Sequence, residues 1–511
     1  MSQAEVPPED LAQSVALLTA LRDPARPDHT LAMSSLDEHV SNPSFVLVML
    51  HVFANQHAAP CDLRQLAGLI IKNYVFPHLA RLPGQVQAAL KGRVVQVLQD
   101  AEPAIRNTAA ILVGKISDSF PVATWSDMLP PILAHLDISQ YVQNPIGVEG
   151  ALAAVQRICE DSALKLGLDE VNRPLDLLIP RLLGLLSCPD KGIRSAALSS
   201  YNSLLYLLSS RGQGMGTGGG SPLRSRNSSD NDEEGMGQGG QGQGGQEGWG
   251  QGQGGQGGQE GWGQGQGQGQ GHSGSPSPSA AVPLLLHMRP FIEALSTLTS
   301  DQHAPVRKGV CQAITTIASL HVAALDPYFA DICQFMLVAL QDSEESVAIE
   351  GCEFWAVVLE QPDTKRAMLP ALGALVQRLV QRLYLTSEQM ESDRIDEEEE
   401  AAGEKELNLR PMHHRPSGGE GGELGDDAKE NSELSAKWTL RKQAALLLDT
   451  VGISFPAQEV LSCALPTIQE LFQSQDVLVR ESGMLALGAL STGCLEAMLP
   501  HLGSIFPFLL Q

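Results

Sequence analysis

The residues that could carry chemistry in this chain do not converge on a site. A Gly-x-Gly-x-x-Gly pattern occurs at Gly252, Gly254 and Gly257, but it lies inside a Gly/Gln tract with no preceding strand or following helix, so dinucleotide binding is not predicted. His413 and His414 adjoin an acidic stretch, where a solvated pair explains them better than a metal site. The sequence contains no P-loop, HExxH or GxSxG motif. It therefore predicts a protein that is not an enzyme and needs no cofactor or metal.

Composition and charge narrow the classes of partner. The 511 residues include 34 Lys and Arg against 59 Asp and Glu, a net charge of −25. Phosphate contacts need cations, so we expect no direct nucleic-acid binding and a preference for basic partners. The longest apolar run, Ser44–Ala54, is too short to span a bilayer, so we expect no membrane insertion. Eight cysteines without a CxxC pair are typical of buried, reduced thiols in an intracellular protein.

Two phrases alternate along the chain. One is a polar turn, an aliphatic residue, Arg and an Ala-rich helix, and the other is a Pro-led run of aliphatic residues at helical spacing. The first places Arg64, Arg106, Arg194, Arg307, Arg441 and Arg480 at equivalent positions, with Ala348 in the same place, and the second contains Pro130, Pro180, Pro290, Pro370, Pro466 and Pro507. Proline is tolerated in a first helical turn, so each unit is predicted to be a Pro-led helix A followed by an Arg-led helix B.

The repeat length defines the fold class. Arg441 and Arg480 are 39 residues apart, and Arg64 and Arg106 are 42 apart. A period near 40 with two helices and no period-2 alternation predicts an all-α HEAT-repeat solenoid, a right-handed superhelix of about nine repeats with two long disordered insertions. The predicted segments are HEAT repeats at 1–210, a Gly/Gln-rich insertion at 211–280, HEAT repeats at 281–387, an acidic loop at 388–437 and HEAT repeats at 438–511. No helix B follows the final phrase, IFPFLLQ, so we expect the array to be truncated there.

The two insertions differ in composition. The first repeats GGQEGWGQGQG at Gly244–Gly254 and Gly257–Gly267, which is too polar to fold alone. Its Trp249 and Trp262 are either contact points for weak association or part of a neutral insertion. The second, 388–437, holds 16 acidic and 6 basic residues.

Several phrases resemble one family. LRQLAGLIIKNYV, AIRNTAAILVGKIS, VEGALAAVQRICEDSA with NRPLDLLIPRLL, SVAIEGCEFWAVVLEQP, WTLRKQAALLLD and VRESGMLALGALSTGC are similar to the N-terminal half of the transportins, or karyopherin beta-2 proteins, of the importin-beta family. The resemblance implies a nuclear import receptor that shuttles between cytoplasm and nucleus, presumed monomeric by the same resemblance. Its implied partners are GTP-loaded Ran, Phe-Gly nucleoporins, and cargo with basic, proline–tyrosine localisation signals, often RNA-binding proteins.

The resemblance also implies site residues. Ran would contact the helix B residues Lys72, Asn73, Arg106, Asn107, Glu160 and Asp161. Cargo binding would begin at Ala445, Leu446, Asp449, Leu485 and Ala489, with Leu446 bulkier than the alanine expected there. The acidic loop, with Asp396, Glu397, Glu398, Glu399 and Glu400, would assist cargo release when Ran binds.

From the residues alone, other interpretations stay open. The repeat arginines, Arg106 among them, suit structural ladders between repeats better than ligand contacts. Trp355 and Trp438 suit packing between repeats. A cytosolic HEAT scaffold and an export receptor remain alternatives to the import receptor.

Overall fold

The computed structural model describes residues 7–166, 174–211, 281–384 and 440–501, together with residue 503. Throughout these ranges the regular structure is helical, with no strand. All of the described residues belong to one compact unit. The Gly/Gln insertion with Trp249 and Trp262, the interior of the acidic loop, and Trp438 lie outside the described residues.

The described residues form nine helical pairs, which confirms the predicted all-α HEAT-repeat solenoid. The pairs, helix A before helix B, are Pro8–Leu21 (α1) and His29–His39 (α2), Pro43–Ala54 (α3) and Cys61–Ile70 (α4), Gly84–Val97 (α5) and Pro103–Ser119 (α6), Leu129–Ala134 (α7) and Pro145–Leu166 (α8), Pro174–Leu185 (α9) and Lys191–Leu205 (α10), Met288–Leu298 (α11) and Ala304–His321 (α12), Phe329–Ala339 (α13) and Glu345–Leu359 (α14), Leu372–Arg382 (α15) and Leu440–Ser454 (α16), and Ala457–Phe472 (α17) and Val477–Met498 (α18). Short α-helices at Ile138–Tyr141, Ala281–Leu286 and Pro362–Met368 and 3-10 turns at Phe76–Arg81, Val122–Asp127, Tyr206–Arg211, Val322–Ala324, Asp326–Tyr328, Leu369–Ala371 and Leu499–His501 complete it.

The prolines do not all start helices. Pro130 and Pro290 lie in the first turns of α7 and α11, as predicted. The prediction is wrong for Pro180 and Pro466, which lie inside α9 and α17. In both cases the apolar pattern continues for at least one turn upstream, and burying those residues compensates for the backbone hydrogen bond that proline cannot donate.

Arginines on helix B tie successive repeats together. Arg194 donates to both carboxylate oxygens of Asp301, at 2.8 and 3.0 Å, and Arg307 donates to both oxygens of Asp342, at 2.7 and 2.7 Å. The pair of Arg194 and Asp301 joins repeats 5 and 6, which the 211–280 insertion separates in sequence. Bidentate pairs of this type fix orientation as well as contributing energy. The arginines therefore form the ladder that the repeat pattern suggests.

The repeat that lacks this arginine recruits one from its neighbour. Arg106 and Arg307 each donate to the carbonyl six residues upstream, at 2.8 Å. At Ala348 the equivalent carbonyl belongs to Asp342, and Arg382 of α15 donates to it at 2.9 Å. The turn between α13 and α14 is therefore satisfied from the following helix A, which explains why alanine is tolerated at position 348.

The core runs along the stack between the two layers of helices. Tyr201 of α10 and Phe291 of α11 stack at 3.7 Å between ring centroids, and Trp355 of α14 is fully buried. Trp355 therefore packs in the core, as predicted. Gly150 of α8 lets that helix B approach the C-terminal end of the helix A α5, because a β-carbon at Gly150 would lie 1.8 Å from the Leu98 carbonyl oxygen.

One helix within the described ranges qualifies by length and composition as a membrane span. Val477–His501 has a mean hydropathy of 1.3 in its most apolar window, of which 39% is buried inside the protein. Its Ala, Gly, Ser and Thr residues keep the number of charges low without forming a continuous apolar run. A core helix of a repeat protein meets the same criterion, and this helix packs against α16 and α17.

Candidate binding surfaces on helices A and B

The first candidate surface begins where α4 changes its helical geometry. Ile71–Val75 continues α4 as a π-helical turn and contains Lys72 and Asn73. Lys72 is half-buried and Asn73 is exposed. Within the described ranges, the Lys72 ammonium makes no hydrogen bond or ion pair. Single π turns of this type are frequent at functional sites.

Arg106 and Asn107 begin α6 but have different surroundings. Arg106 is only 5% exposed, and its Nη1 donates to the carbonyls of Asp100 and Ala101 while Nη2 pairs with Glu149 at 2.8 Å. The guanidinium therefore belongs to the ladder, which makes Arg106 unsuitable for the Ran contact implied by the resemblance. Asn107 is exposed and available.

Glu160 and Asp161 lie on α8 just before its kink at Ser162. Glu160 accepts hydrogen bonds from Gln156 Nε2 and Arg157 Nη1, both at 2.9 Å. Burial, followed by the negative charge of Glu160, raises the pKa of Asp161. Because α4 packs on α6 and α6 packs on α8, the exposed predicted residues lie along three consecutive helices B.

The predicted cargo residues lie on α16 and α18, which pack against each other. Ala445 and Asp449 are one helical turn apart, as are Leu485 and Ala489, and all four are half-buried. Leu446 is 50% exposed. The Asp449 Oδ1 atom is shielded from solvent yet has no hydrogen-bond partner in the structure, so this oxygen is available to accept a hydrogen bond from a ligand.

Other apolar side chains on these two helices were missed in the sequence analysis. Ile453 is 60% exposed, Met484 42% and Leu495 58%. Ile453 is two turns beyond Leu446, so helical spacing from Leu446 could have found it. Met484 and Leu495 carry no signal in the sequence, because an apolar residue on helix B is usually part of the core.

A polar layer between α12, α14 and α16 was also missed. Gln312 Nε2 donates to Glu350 at 2.7 Å, Lys308 lies 3.7 Å from the same carboxylate, and Gln443 Nε2 donates to Glu353 at 2.7 Å. Burial is the main cause that raises the pKa of both glutamates. These contacts join residues up to 90 positions apart, so only the stacking of repeats reveals them. They connect the repeats on either side of the acidic loop.

Helices A carry a separate apolar groove between α11 and α13. It encloses about 270 Å³ and is lined mainly by Ile292, Leu295, Ile314, Tyr328, Ile332 and Phe335. Apolar clefts of this size suit a single aromatic or aliphatic side chain of a ligand.

The remaining predicted residues belong to the acidic loop and to the His413–His414 pair. Asp396, Glu397, Glu398, Glu399 and Glu400 of the acidic loop, and the pair His413 and His414, lie outside the described residues. In the described part of the chain, no group of three His, Cys, Asp or Glu side chains is arranged to hold a metal ion.

Comparison with solved structures finds the same helical architecture in several other proteins. One match is a structure of Kap95p, whose binding induces the switch loops of RanGDP to adopt the GTP-bound conformation. It has a TM-score of 0.60 at 13% identity, over 97% of this chain and 47% of that chain. Kap121p bound to RanGTP matches with a TM-score of 0.58, at 12% identity, over 98% and 38%. The Kap95:Nup1 complex matches with a TM-score of 0.58, at 13% identity, over 94% and 46%. At these identities the matches show the fold, which is the karyopherin type of HEAT solenoid.

Sequence comparison then specifies the relatives. Transportin-1 of Mus musculus is 28% identical over 508 residues, covering 97% of this chain and 48% of that protein, and importin subunit beta-2 of Schizosaccharomyces pombe is 25% identical over 506 residues, covering 94% and 47%. No family model matches the chain. The resemblance predicted from the sequence is confirmed, because this chain is similar to the transportins along almost its whole length. It spans about half the length of the curated relatives that it matches.

Proposed function

We propose that this chain is part of a nuclear import receptor, a carrier rather than an enzyme, that binds cargo outside the nucleus and releases it inside when GTP-loaded Ran binds. The observation that carries the proposal is the 28% identity to a transportin along 97% of the chain. The helical repeats supply extended surfaces of the kind that bind other proteins. The receptor would shuttle between cytoplasm and nucleus as a monomer.

The Ran-binding surface is proposed to lie on α4, α6 and α8. The solved fold relatives include complexes with RanGDP and RanGTP. Lys72 and Asn73 on the π turn, Asn107, and the carboxylates of Glu160 and Asp161 are the exposed or half-exposed polar groups predicted there. Arg106 is left out because its guanidinium is already bonded within the ladder.

Binding of the purified chain to Ran tests this proposal. We expect tight binding to Ran loaded with GTP and much weaker binding to Ran loaded with GDP, measured by calorimetry on the same protein sample. Lys72→Ala should weaken the GTP-form complex about tenfold, because it removes a charge-assisted hydrogen bond. Lys365→Ala, which replaces another half-buried lysine far along the array, is the matched control and should leave the Kd unchanged.

Absence of binding by a folded, helical sample would remove the proposal and favour the HEAT scaffold. An equal loss of Ran affinity in Lys72→Ala and Lys365→Ala would instead show that Lys72 is not part of the Ran-binding surface. An export receptor is distinguished by the next measurement, since it would bind cargo together with Ran rather than exclusively.

The cargo surface is proposed to begin on α16 and α18. Small and aliphatic side chains at Ala445, Leu446, Leu485 and Ala489 would accommodate a proline–tyrosine pair, and the free Oδ1 of Asp449 would accept a hydrogen bond from it. The net charge of −25 favours basic localisation signals through long-range attraction. These signals are common in RNA-binding proteins, which are the expected cargo class.

Deletion of 388–437 tests the role of the acidic loop in release. The loop is proposed to compete with basic cargo as a tethered acidic segment at high effective concentration. Because a ligand shifts an equilibrium only by differential affinity, Ran must change the docking of the loop for release to follow. We expect the deletion to slow Ran-driven cargo dissociation while leaving cargo affinity without Ran unchanged, as measured by stopped-flow fluorescence with a labelled cargo peptide. An unchanged release rate would exclude the loop from the mechanism.

Phe-Gly nucleoporins are the proposed partners of the helix A surface. The groove between α11 and α13 has an apolar lining in which Ile292, Ile332 and Phe335 could surround one phenylalanine ring. A solved fold relative is a complex with Nup1. This groove lies on helices A, so its occupation would not compete directly with partners on helices B.

A further inference from the structure

A polar cavity lies at the edge of repeats 2 and 3, and none of the residues that line it is among those proposed above to contact Ran, cargo or nucleoporins. It measures about 540 Å³ and is formed by the C-terminal ends of α3 and α5 and the turns that follow them. The polar side chains that line it are mainly His51, Asn55, His57, Arg93, Gln96 and Gln99. The volume is within the range of ligand sites for small molecules or single peptide side chains.

The cavity carries a local positive charge in an acidic protein. Arg93 and Asp100 are the basic and the acidic residue that line it. Asp100 is already neutralised, because Arg64 donates to both of its carboxylate oxygens. Arg93 is half-buried and makes no hydrogen bond or ion pair among the residues described in the structure. Its guanidinium is therefore an uncompensated cation facing the cavity.

The neighbouring groups are hydrogen-bond donors rather than competing charges. Burial, and then the positive charge of Arg93, lower the pKa of His51, so its ring is neutral at physiological pH. Asn55 Nδ2 lies 3.4 Å from His51 Nε2, and Gln99 Nε2 lies 3.0 Å from His135 Nε2. Each side-chain amide nitrogen carries two N–H groups, so Asn55 and Gln99 each keep one that can donate to an oxyanion, together with the amide of Gln96.

We propose that this cavity binds a phosphoryl group, with Arg93 as the cationic anchor and the amides of Gln96 and Gln99 as additional donors. The planar guanidinium fork matches phosphate oxygens in a bidentate arrangement, which makes arginine the preferred residue for this group. The group could be free phosphate or the side chain of a phosphoserine in a partner protein. Neither the cargo surface nor the Ran surface is involved.

The test uses the purified chain and three probes. Fluorescence anisotropy compares the binding of a fluorescent phosphoserine peptide with Gly/Ser flanks and of the same peptide without the phosphate. Inorganic phosphate serves as the competitor. We expect the phosphopeptide to bind at least tenfold more tightly than the unphosphorylated peptide and inorganic phosphate to displace it. If inorganic phosphate binds with a Kd as low as that of the phosphopeptide, free phosphate is the ligand of the cavity. If the Kd of inorganic phosphate is much higher, the ligand is a phosphoserine side chain of a partner protein.

Variants separate a built site from general attraction. Arg93→Gln should weaken phosphopeptide binding at least tenfold, and Arg93→Lys should restore part of the loss. Arg378→Gln on α15 is the matched control, because Arg378 is also half-buried and has no partner in the described ranges. Equal affinity for the two peptides, or equal losses in Arg93→Gln and Arg378→Gln with helix content preserved by circular dichroism, would overturn the proposal.

Discussion

Replacing Arg64 by alanine is expected to lower the free energy of unfolding of the N-terminal repeats by about 3–5 kcal/mol. The Arg64 side chain is 3% exposed and the Asp100 side chain 10%. Arg64 also donates to the Phe53 carbonyl, from Nε at 3.2 Å and from Nη2 at 3.0 Å. The truncation leaves the buried Asp100 carboxylate and the Phe53 carbonyl without the hydrogen bonds from Arg64. The free-energy penalty for these unpaired buried groups exceeds the loss of the ion pair itself.

An exposed pair gives the matched control for Arg64. Arg22 bonds Asp62 at 2.6 Å, but the two side chains are 56% and 49% exposed. Arg22→Ala should therefore leave the free energy of unfolding almost unchanged. Both variants can be measured by urea denaturation, with amide hydrogen exchange to localise the effect, because repeat arrays can unfold in parts. Similar losses in the two variants would contradict the structural role of the buried pair.

Replacing Gly493 by alanine is expected to destabilise the contact between α16 and α18 by about 1–3 kcal/mol. A β-carbon at this position would lie 2.2 Å from the Gly452 carbonyl carbon and 2.3 Å from its oxygen. Those are backbone atoms, so they cannot move aside as a flexible side chain would. The two helices must separate, and the measurable result is a lower thermal unfolding temperature together with faster hydrogen exchange in both helices.

The control for this change lies on the same helix. A β-carbon at Gly488 would meet nothing within 4 Å. Gly488→Ala should therefore stabilise α18 by about 0.5–1 kcal/mol through helix propensity alone. If Gly493→Ala were also stabilising, the close approach of the two helices in the structure would be wrong.

The sequence was sufficient for the fold because the pattern is local and repeated. Each arginine-led phrase specifies one helix B and the turn before it, and the same phrase recurs about every 40 residues. The burial of Trp355 was also predicted from the sequence. The helix starts predicted at Pro180 and Pro466 were wrong, because both prolines lie inside helices that apolar packing extends further toward the N-terminus.

The surfaces could be predicted only in part. Asn73 and Leu446 are exposed where a binding surface requires it, while Arg106 is not. The phrase that contains Arg106 looks the same whether its side chain faces a partner or the next repeat. Burial distinguishes the two possibilities, and burial depends on the neighbouring repeat.

The amino-acid sequence by itself determined the class of fold, the number of repeats and the resemblance to transportins, because these depend on spacing along the chain. Only the tertiary structure decided which groups are left without partners. The replacement of the missing arginine at Ala348 by Arg382, the unpaired oxygen of Asp449 and the uncompensated charge of Arg93 all depend on side chains from adjacent repeats. Stacking brings together residues that are dozens of positions apart, and the sequence period carries no information on which of their polar groups then find each other.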